Sequence, residues 1–406
     1  MRTSKKNEKW IKKRHAVITG IAKGVCYPYT KWKYGVSVER FKEHGDRAYL
    51  ILFNHQTAFD QFFVGMSFPG AVYYLASEDI FSKGWVSSLI RFLVAPISIK
   101  KQASDISAVR NCFKVVKEGG TIALAPEGNR TYSGKTAYIN PSIVSLAQKL
   151  KMPIALYRIE GGYGVQPRWS DVVRKGEMRA YVSRVIEPEE YENLTKEEFY
   201  DMIQEGLRVD EGVSDGLYKS DRRAEYLERA MYVCPDCGLS EFESNGNYIE
   251  CKCCHKKIEY CEDKKLRAVN GDFPFDYVTE WYDYQTQYVA ALDVMQYTKE
   301  PMYRETSSVS EVIVNKRKVR FYDAAEVALY GDRIVINANT DREMTFSFDV
   351  VSVISVLGRN KLNIYYGNKV YQLKAGKRFN ALKYMNVFFR YKSIQRGDEK
   401  TTYLGI

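Results

Sequence analysis

Tyr49-Leu50-Ile51-Leu52-Phe53-Asn54-His55-Gln56-Thr57-Ala58-Phe59-Asp60 changes character halfway: five apolar residues give way to a polar stretch holding an imidazole and, five positions later, a carboxylate. The apolar half reads as a buried strand and the polar half as a loop entering a helix. A carboxylate at that spacing can reach the imidazole and orient it, so His55 and Asp60 form a candidate general base with its holder.

Outward from this stretch, short branched or aromatic runs alternate with longer amphipathic ones. Strands are expected over 49–53, 71–76, 96–99, 121–125, 153–158 and 178–185, and helices over 61–68, 83–93, 105–117 and 141–150. Such alternation predicts an α/β domain with a mainly parallel sheet covered by helices. In such sheets ligands gather at the carboxyl ends of strands. His55 lies at one such end, and Ala125-Pro126-Glu127-Gly128-Asn129-Arg130 lies at another. A loop with a glycine, an acid and an arginine suits an anion held beside the base, because a guanidinium grips phosphate bidentately.

The α/β domain is expected to span 43–210, closing with a helix opened by the capping box Thr195-Lys196-Glu197-Glu198. A helical linker over 211–232 follows. Cys234 and Cys237 form one CxxC knuckle and Cys251 and Cys254 a second, thirteen residues apart, the arrangement that surrounds a tetrahedral zinc with four thiolates. Cys253 is an alternative fourth ligand, with His255 and Cys261 as weaker candidates. Four protein ligands close such a site, so the expected zinc ribbon over 233–268 has a structural role. An aromatic and helical linker over 269–305 leads to a β-rich domain over 306–406. There seven strands are expected at 319–322, 326–330, 333–336, 344–348, 351–356, 361–366 and 369–373, followed by a helix over 379–391. That pattern resembles a pleckstrin-homology or GRAM-type barrel, which implies lipid headgroups as ligands; a structural or dimerising role fits the pattern equally.

The chain has 406 residues and a formal charge of +11, of which residues 1–42 carry twelve Lys or Arg against two Glu. Within this segment Ile11, His15, Ile18, Ala22 and Val25 recur at helical spacing, with most of the cations off that stripe. A basic amphipathic helix of this kind lies in the headgroup region of an anionic membrane or packs on its own domain. No run reaches the roughly 18 apolar residues of a membrane span, and the N-terminus lacks a secretory h-region. The expected location is the cytoplasm, peripheral to the cytoplasmic face of the membrane.

In order and spacing, Asn54-His55 with Asp60 and Pro126-Glu127-Gly128-Asn129-Arg130 resemble the NHxxxxD and PEGTR blocks of the glycerolipid acyltransferases, the 1-acylglycerol-3-phosphate acyltransferases and their relatives. Pro96-Ile97-Ser98-Ile99-Lys100-Lys101 is similar to the family's second block and Met152-Pro153-Ile154-Ala155 to its fourth. The resemblance covers roughly residues 40–190. Asn129 replaces the family's threonine, and Lys100 or Lys101 stands where arginine is usual. A lysine offers a point charge in place of a fork.

The resemblance implies acyl transfer from acyl carrier protein or coenzyme A to a lysophospholipid hydroxyl, most simply 1-acylglycerol-3-phosphate giving phosphatidic acid. His55 is then the base and Asp60 its holder, with Asn54, Lys100, Lys101, Glu127, Gly128 and Arg130 around the acceptor. Glu127, an anion itself, is expected to orient a hydroxyl or a basic neighbour. A second class, a nucleic-acid-binding zinc ribbon, fits the sequence pI of about 9.0. The placement of charge opposes it: the cations cluster at the N-terminus, and Glu241, Glu243 and Glu250 occupy the ribbon. No nucleic-acid partner is expected.

Overall fold

A computed structural model of the chain describes residues 9–77, 85–99, 106–313, 318–398 and 401–405. The chain forms two compact units: residues 1–131, 135–165 and 175–211 make the first, and 132–134, 166–174 and 212–406 the second.

In the first unit the order is α1 (Lys13–Tyr34), β1 (Val36–Val38), β2 (Leu50–Phe53), α2 (Asp60–Ser67), β3 (Val72–Ser77), α3 (Trp85–Val94), β4 (Ile97–Ile99) and α4 (Ile106–Lys117). It continues with β5 (Thr121–Leu124), α5 (Ser142–Leu150), β6 (Ile154–Glu160), α6 (Gly162–Val165), β7 (Met178–Ile186), α7 (Pro188–Tyr191) and α8 (Lys196–Leu207). The seven strands form one sheet in the order β1-β7-β6-β2-β5-β3-β4. Every pairing is parallel except β6 with β7. The expected α/β architecture is therefore present. Strand β2 lies at the centre with all four residues buried, as its unbroken apolar run requires. Leu50, Leu52, Ile122, Ile154 and Leu156 pack with Val144 of α5 and Phe199 and Ile203 of α8 in one core cluster. The Thr195 capping box forms as read: the Thr195 hydroxyl accepts from the Glu198 amide at 3.2 Å, and Glu198 accepts from the Thr195 amide at 2.9 Å.

Helix α1 differs from its expected stripe. His15, Thr30 and Tyr34 point inward, whereas Val25, expected inside, is exposed with Val17, Ile21 and Trp32. Trp10 donates through its indole to the Ala95 carbonyl (3.0 Å), and Arg14 donates to that of Phe92 (3.0 Å), tying the start of α1 to the end of α3. On α3, Trp85, Leu89 and Phe92 are also exposed.

The second unit opens without the expected linker helix; a single 3-10 turn forms at Leu227–Arg229. Tyr226 adopts a left-handed φ of 74° that interrupts a helix, and the amides of Ala224 and Tyr226 bond to Gly246 O and Ser244 Oγ. Then come β8 (Val233–Cys234), β9 (Gly238–Leu239), β10 (Phe242–Asn245), β11 (Tyr248–Cys251), β12 (Lys257–Tyr260), β13 (Leu266–Ala268) and α9 (Val278–Ala291). A second seven-stranded sheet, entirely antiparallel and barrel-like, follows: β14 (Tyr303–Glu311), β15 (Val319–Leu329), β16 (Arg333–Ile336), β17 (Met344–Ser347), β18 (Val351–Leu357), β19 (Lys361–Tyr366) and β20 (Lys369–Ala375). Helix α10 (Ala381–Arg396) packs on β18 and β19. The strand count matches the expectation by a different route. The stretches at 319–322 and 326–330 merge into β15, and Tyr303–Glu311, which spans the expected linker boundary and for which no strand was expected, is a strand.

Segments 132–134 and 166–174 are integral to this unit. Trp169 is fully buried, Arg168 donates to the carbonyls of Val356 and Gly358 at 3.0 Å each, and Arg229 pairs with Asp171 at 2.9 Å.

Candidate active site

Strand β2 ends at Phe53, and the next residue fixes how the chain leaves the sheet. Asn54 is fully buried; its Nδ2 donates to Ile159 O at 2.8 Å and its Oδ1 accepts from Ile159 N at 2.7 Å. The side chain thus continues the β2–β6 ladder one step past the strand. Expected to meet substrate, Asn54 spends both ends of its amide on main chain.

The following loop folds back over Asp60, the first residue of α2. The Asp60 carboxylate accepts from Gln56 N (2.7 Å), from Thr57 N (2.9 Å to Oδ1) and from Thr57 Oγ1 (2.6 Å). Its Oδ2 also meets His55 Nδ1 at 2.7 Å. The carboxylate side chain is 0% exposed and the His55 side chain 26% exposed. Every neighbour of Asp60 is a donor and an ionised carboxylate only accepts, so the Nδ1 position carries the imidazole proton and Nε2 carries the lone pair. Thr57 was not singled out in the sequence; it donates twice to Asp60 because the loop reverses direction, which no linear spacing reveals.

Strand β5 pairs directly with β2, so the two post-strand loops are neighbours. Gly128 has φ +67° and donates its amide to Ala125 O at 3.0 Å, closing a tight turn. This turn aims Glu127 inward. Its Oε1 accepts from the His55 amide at 2.8 Å and its Oε2 from the Ala137 amide at 2.7 Å. The Thr131 amide donates to His55 O at 3.3 Å. His55 is thus held at both its amide and its carbonyl by the loop that carries Arg130, itself buried. Glu127 binds main-chain amides where a hydroxyl or a cation was expected. Lys100 and Lys101 lie outside the described residues.

Burial pushes the Glu127 carboxyl up to about 8; the amides of Ala137 and His55 pull against this, and the Asp60 charge adds to it. A carboxyl that titrates near 4.5 when unfolded and near 8 when folded holds its proton more tightly in the fold. Its contribution to stability is full at low pH and is lost as pH rises through 8.

In the second unit the Sγ atoms of Cys234, Cys237, Cys251 and Cys254 lie within 4.8 Å of one another, with Cys234 and Cys254 at 3.7 Å. A zinc bonded to four sulfurs at about 2.3 Å sets tetrahedral S···S separations near 3.8 Å, so the thiols fit a metal ion. Cys253 is exposed and outside this group, Cys261 is buried elsewhere, and His255 Nδ1 meets Glu250 at 3.1 Å.

The Glu127 arrangement predicts that urea stability of the native protein falls between about pH 5 and pH 8 and that Glu127→Gln removes this slope. Parallel stability profiles for the two proteins would contradict the assignment.

Residues 36–159 match the family model described as Acyltransferase. The chain is 21% identical over 163 residues to a 1-acyl-sn-glycerol-3-phosphate acyltransferase of Bacillus subtilis, covering 40% of this chain and 78% of that protein. It is 23% identical over 137 residues to a chloroplastic 1-acyl-sn-glycerol-3-phosphate acyltransferase of Brassica napus, covering 33% of this chain and 39% of the plant protein. A crystal structure of the 1-acyl-sn-glycerophosphate acyltransferase PlsC of Thermotoga maritima is similar with a TM-score of 0.41 and 21% identity over 48% of this chain and 78% of that one. The matched span, residues 36–159, holds both the Asn54–Asp60 block and the Glu127–Arg130 loop.

Proposed function

We propose that this chain transfers a fatty acyl group from acyl carrier protein or coenzyme A to the hydroxyl of a lysophospholipid, with 1-acylglycerol-3-phosphate as acceptor and phosphatidic acid as product. The 2.7 Å contact between His55 Nδ1 and the buried Asp60 carboxylate carries the reading. The names of the relatives support the choice of acceptor.

His55 Nε2 takes the acceptor's proton as its oxygen attacks the thioester carbon, and Asp60 stabilises the imidazolium that forms. The tetrahedral intermediate expels the thiolate, which receives that proton, leaving the new ester and a free thiol. Arg130, with Lys100 and Lys101, holds the acceptor's phosphate. Amides near the start of α2 stabilise the oxyanion. Glu127 and Gly128 act on the geometry, keeping His55 and Arg130 in one register.

The exposed apolar faces of α1 and α3 support peripheral membrane binding, with the cations of α1 adding attraction to anionic lipid. Lys23 takes no part in this, since it donates to the carbonyls of Phe68 and Gly70. Among the described residues no helix is long and apolar enough to cross a membrane. Zinc bound by Cys234, Cys237, Cys251 and Cys254 folds the ribbon, and the β-rich domain that follows is of pleckstrin-homology or GRAM type.

His55→Ala is expected to lower kcat by roughly 10²- to 10⁴-fold with an unchanged circular dichroism spectrum. Native-like turnover in that variant, assayed with both thioester donors against a panel of lysolipids, would sink the proposal. Elemental analysis should find one zinc per chain, and Cys237→Ser should lose the metal and melt at lower temperature; a metal-free, fully stable native protein rules the ribbon out. For the membrane face, Ile21→Asp with Val25→Asp should weaken binding to anionic vesicles by about tenfold or more, while equal binding would exclude α1 as the contact.

A further inference from the structure

The two cysteine knuckles of the second unit are built alike. Cys234-Pro235-Asp236-Cys237 turns from β8 into β9, and Cys251-Lys252-Cys253-Cys254 turns out of β11 toward β12. In the first, the amides of Asp236 and Cys237 bond to the Cys234 sulfur; in the second, those of Cys253 and Cys254 bond to the Cys251 sulfur. The turns belong to different sheets, since β8 and β9 form a two-stranded sheet of their own and β11 lies in the four-stranded order β10-β11-β12-β13. Sulfurs from both sheets thus meet in one group, and a metal ion bound there ties the sheets together.

The knuckles differ at their third position. Asp236 supplies an acid that pairs with Lys256 at 2.6 Å, whereas Cys253 supplies a fifth thiol. That thiol is exposed and lies outside the group whose four sulfurs are within 4.8 Å of one another. It is therefore neither core packing nor a ligand, the two roles that ordinarily account for a structural cysteine. The Cys237 sulfur nevertheless interacts with that of Cys253 as well as with those of Cys254 and Cys234. An unligated, water-accessible thiol thus stands beside a sulfur of the metal group. Coordinated thiolates have a lone pair engaged by the metal, so the free thiol is the first of these sulfurs to react with an oxidant.

We propose that Cys253 is an oxidative modification site, through which a hydroperoxide converts the four-thiolate metal centre into a disulfide-bridged, metal-free one. The Cys253 sulfur attacks hydrogen peroxide: an S–O bond forms, the O–O bond breaks, water leaves and a sulfenic acid remains. The Cys237 thiolate then attacks that sulfur, forming the S–S bond and expelling hydroxide. The two sulfurs give up two electrons between them, and the peroxide takes these, ending as water and hydroxide. Cys237 is thereby withdrawn from the ligand set, and the three remaining thiolates no longer close the site. The new bond joins the same two sheets, so the ribbon stays linked after the metal has gone. The proposal rests on the zinc reading of the four cysteines and is independent of the acyl-transfer chemistry.

The test uses the full-length, zinc-loaded protein and hydrogen peroxide. A chromogenic chelator reports free zinc, and mass mapping of unreduced peptides reports the disulfide. The native protein should release zinc as a disulfide between Cys237 and Cys253 accumulates, and dithiothreitol with added zinc should restore the starting state. Dimedone present during oxidation should label Cys253. Cys253→Ser should hold zinc at the native stoichiometry and release it roughly tenfold more slowly under peroxide, since the remaining thiolates are coordinated. Equal release rates from the two zinc-loaded proteins, a disulfide that omits Cys253, or loss of zinc from Cys253→Ser before any oxidant is added overturns the proposal. A native protein that holds no zinc overturns the ribbon reading beneath it, so metal content measured before peroxide is added tells the two failures apart.

Discussion

The carboxyl group of Glu127 joins the ends of two adjacent parallel strands. It grips the amide of His55 after β2 and that of Ala137 beyond the β5 loop, and the Thr131 amide returns a bond to the His55 carbonyl. Burying an acid costs free energy unless its oxygens find donors, and here both do. An otherwise expensive group thereby locks His55 and the arginine loop into one frame. The imidazole has its own brace in Asp60, so main chain and side chain are fixed by separate acidic side chains. The general-base role proposed for His55 would benefit from such fixation, because misplacement by about 1 Å can cost two orders of magnitude in rate.

Much of the first unit is legible in sequence because its strands are buried on both faces and appear as unbroken apolar runs. The expected strand at 49–53 is Leu50–Phe53, and that at 178–185 is Met178–Ile186. The Thr195 box marks a helix start through local chemistry alone. The second unit is harder to read for physical reasons. Tyr303–Glu311 is a strand made largely of serine, threonine and charged residues, held by neighbours on both sides and not by its own hydrophobicity. The charged stretch after residue 221 has a helical composition, yet its amides bond to distant partners and Tyr226 adopts a left-handed conformation.

The site divides in the same way. The proximity of His55 and Asp60 is readable because one loop carries both. The parts of Asn54 and Glu127 depend on which strands lie side by side, and the β2–β6 and β2–β5 pairings settle that only in three dimensions. The residue types of an anion site can be listed from sequence, whereas the distinction between a ligand contact and a main-chain clamp cannot. Thr57 and Ala137 enter only through that geometry.

The second unit is assembled from three stretches of chain, two of them embedded in the sequence of the first. During synthesis, Trp169, Arg168 and Asp171 leave the ribosome before Arg229, Val356 and Gly358, the groups they engage, exist. Until then a large indole and a guanidinium await their burial, and the loops that close on them span from about sixty to nearly two hundred residues. Each unit is thus compact, but the two are not separable lengths of polypeptide. A chain cut at residue 211 would keep the strands of the first unit and also strand a tryptophan and an arginine whose partners lie in the missing part.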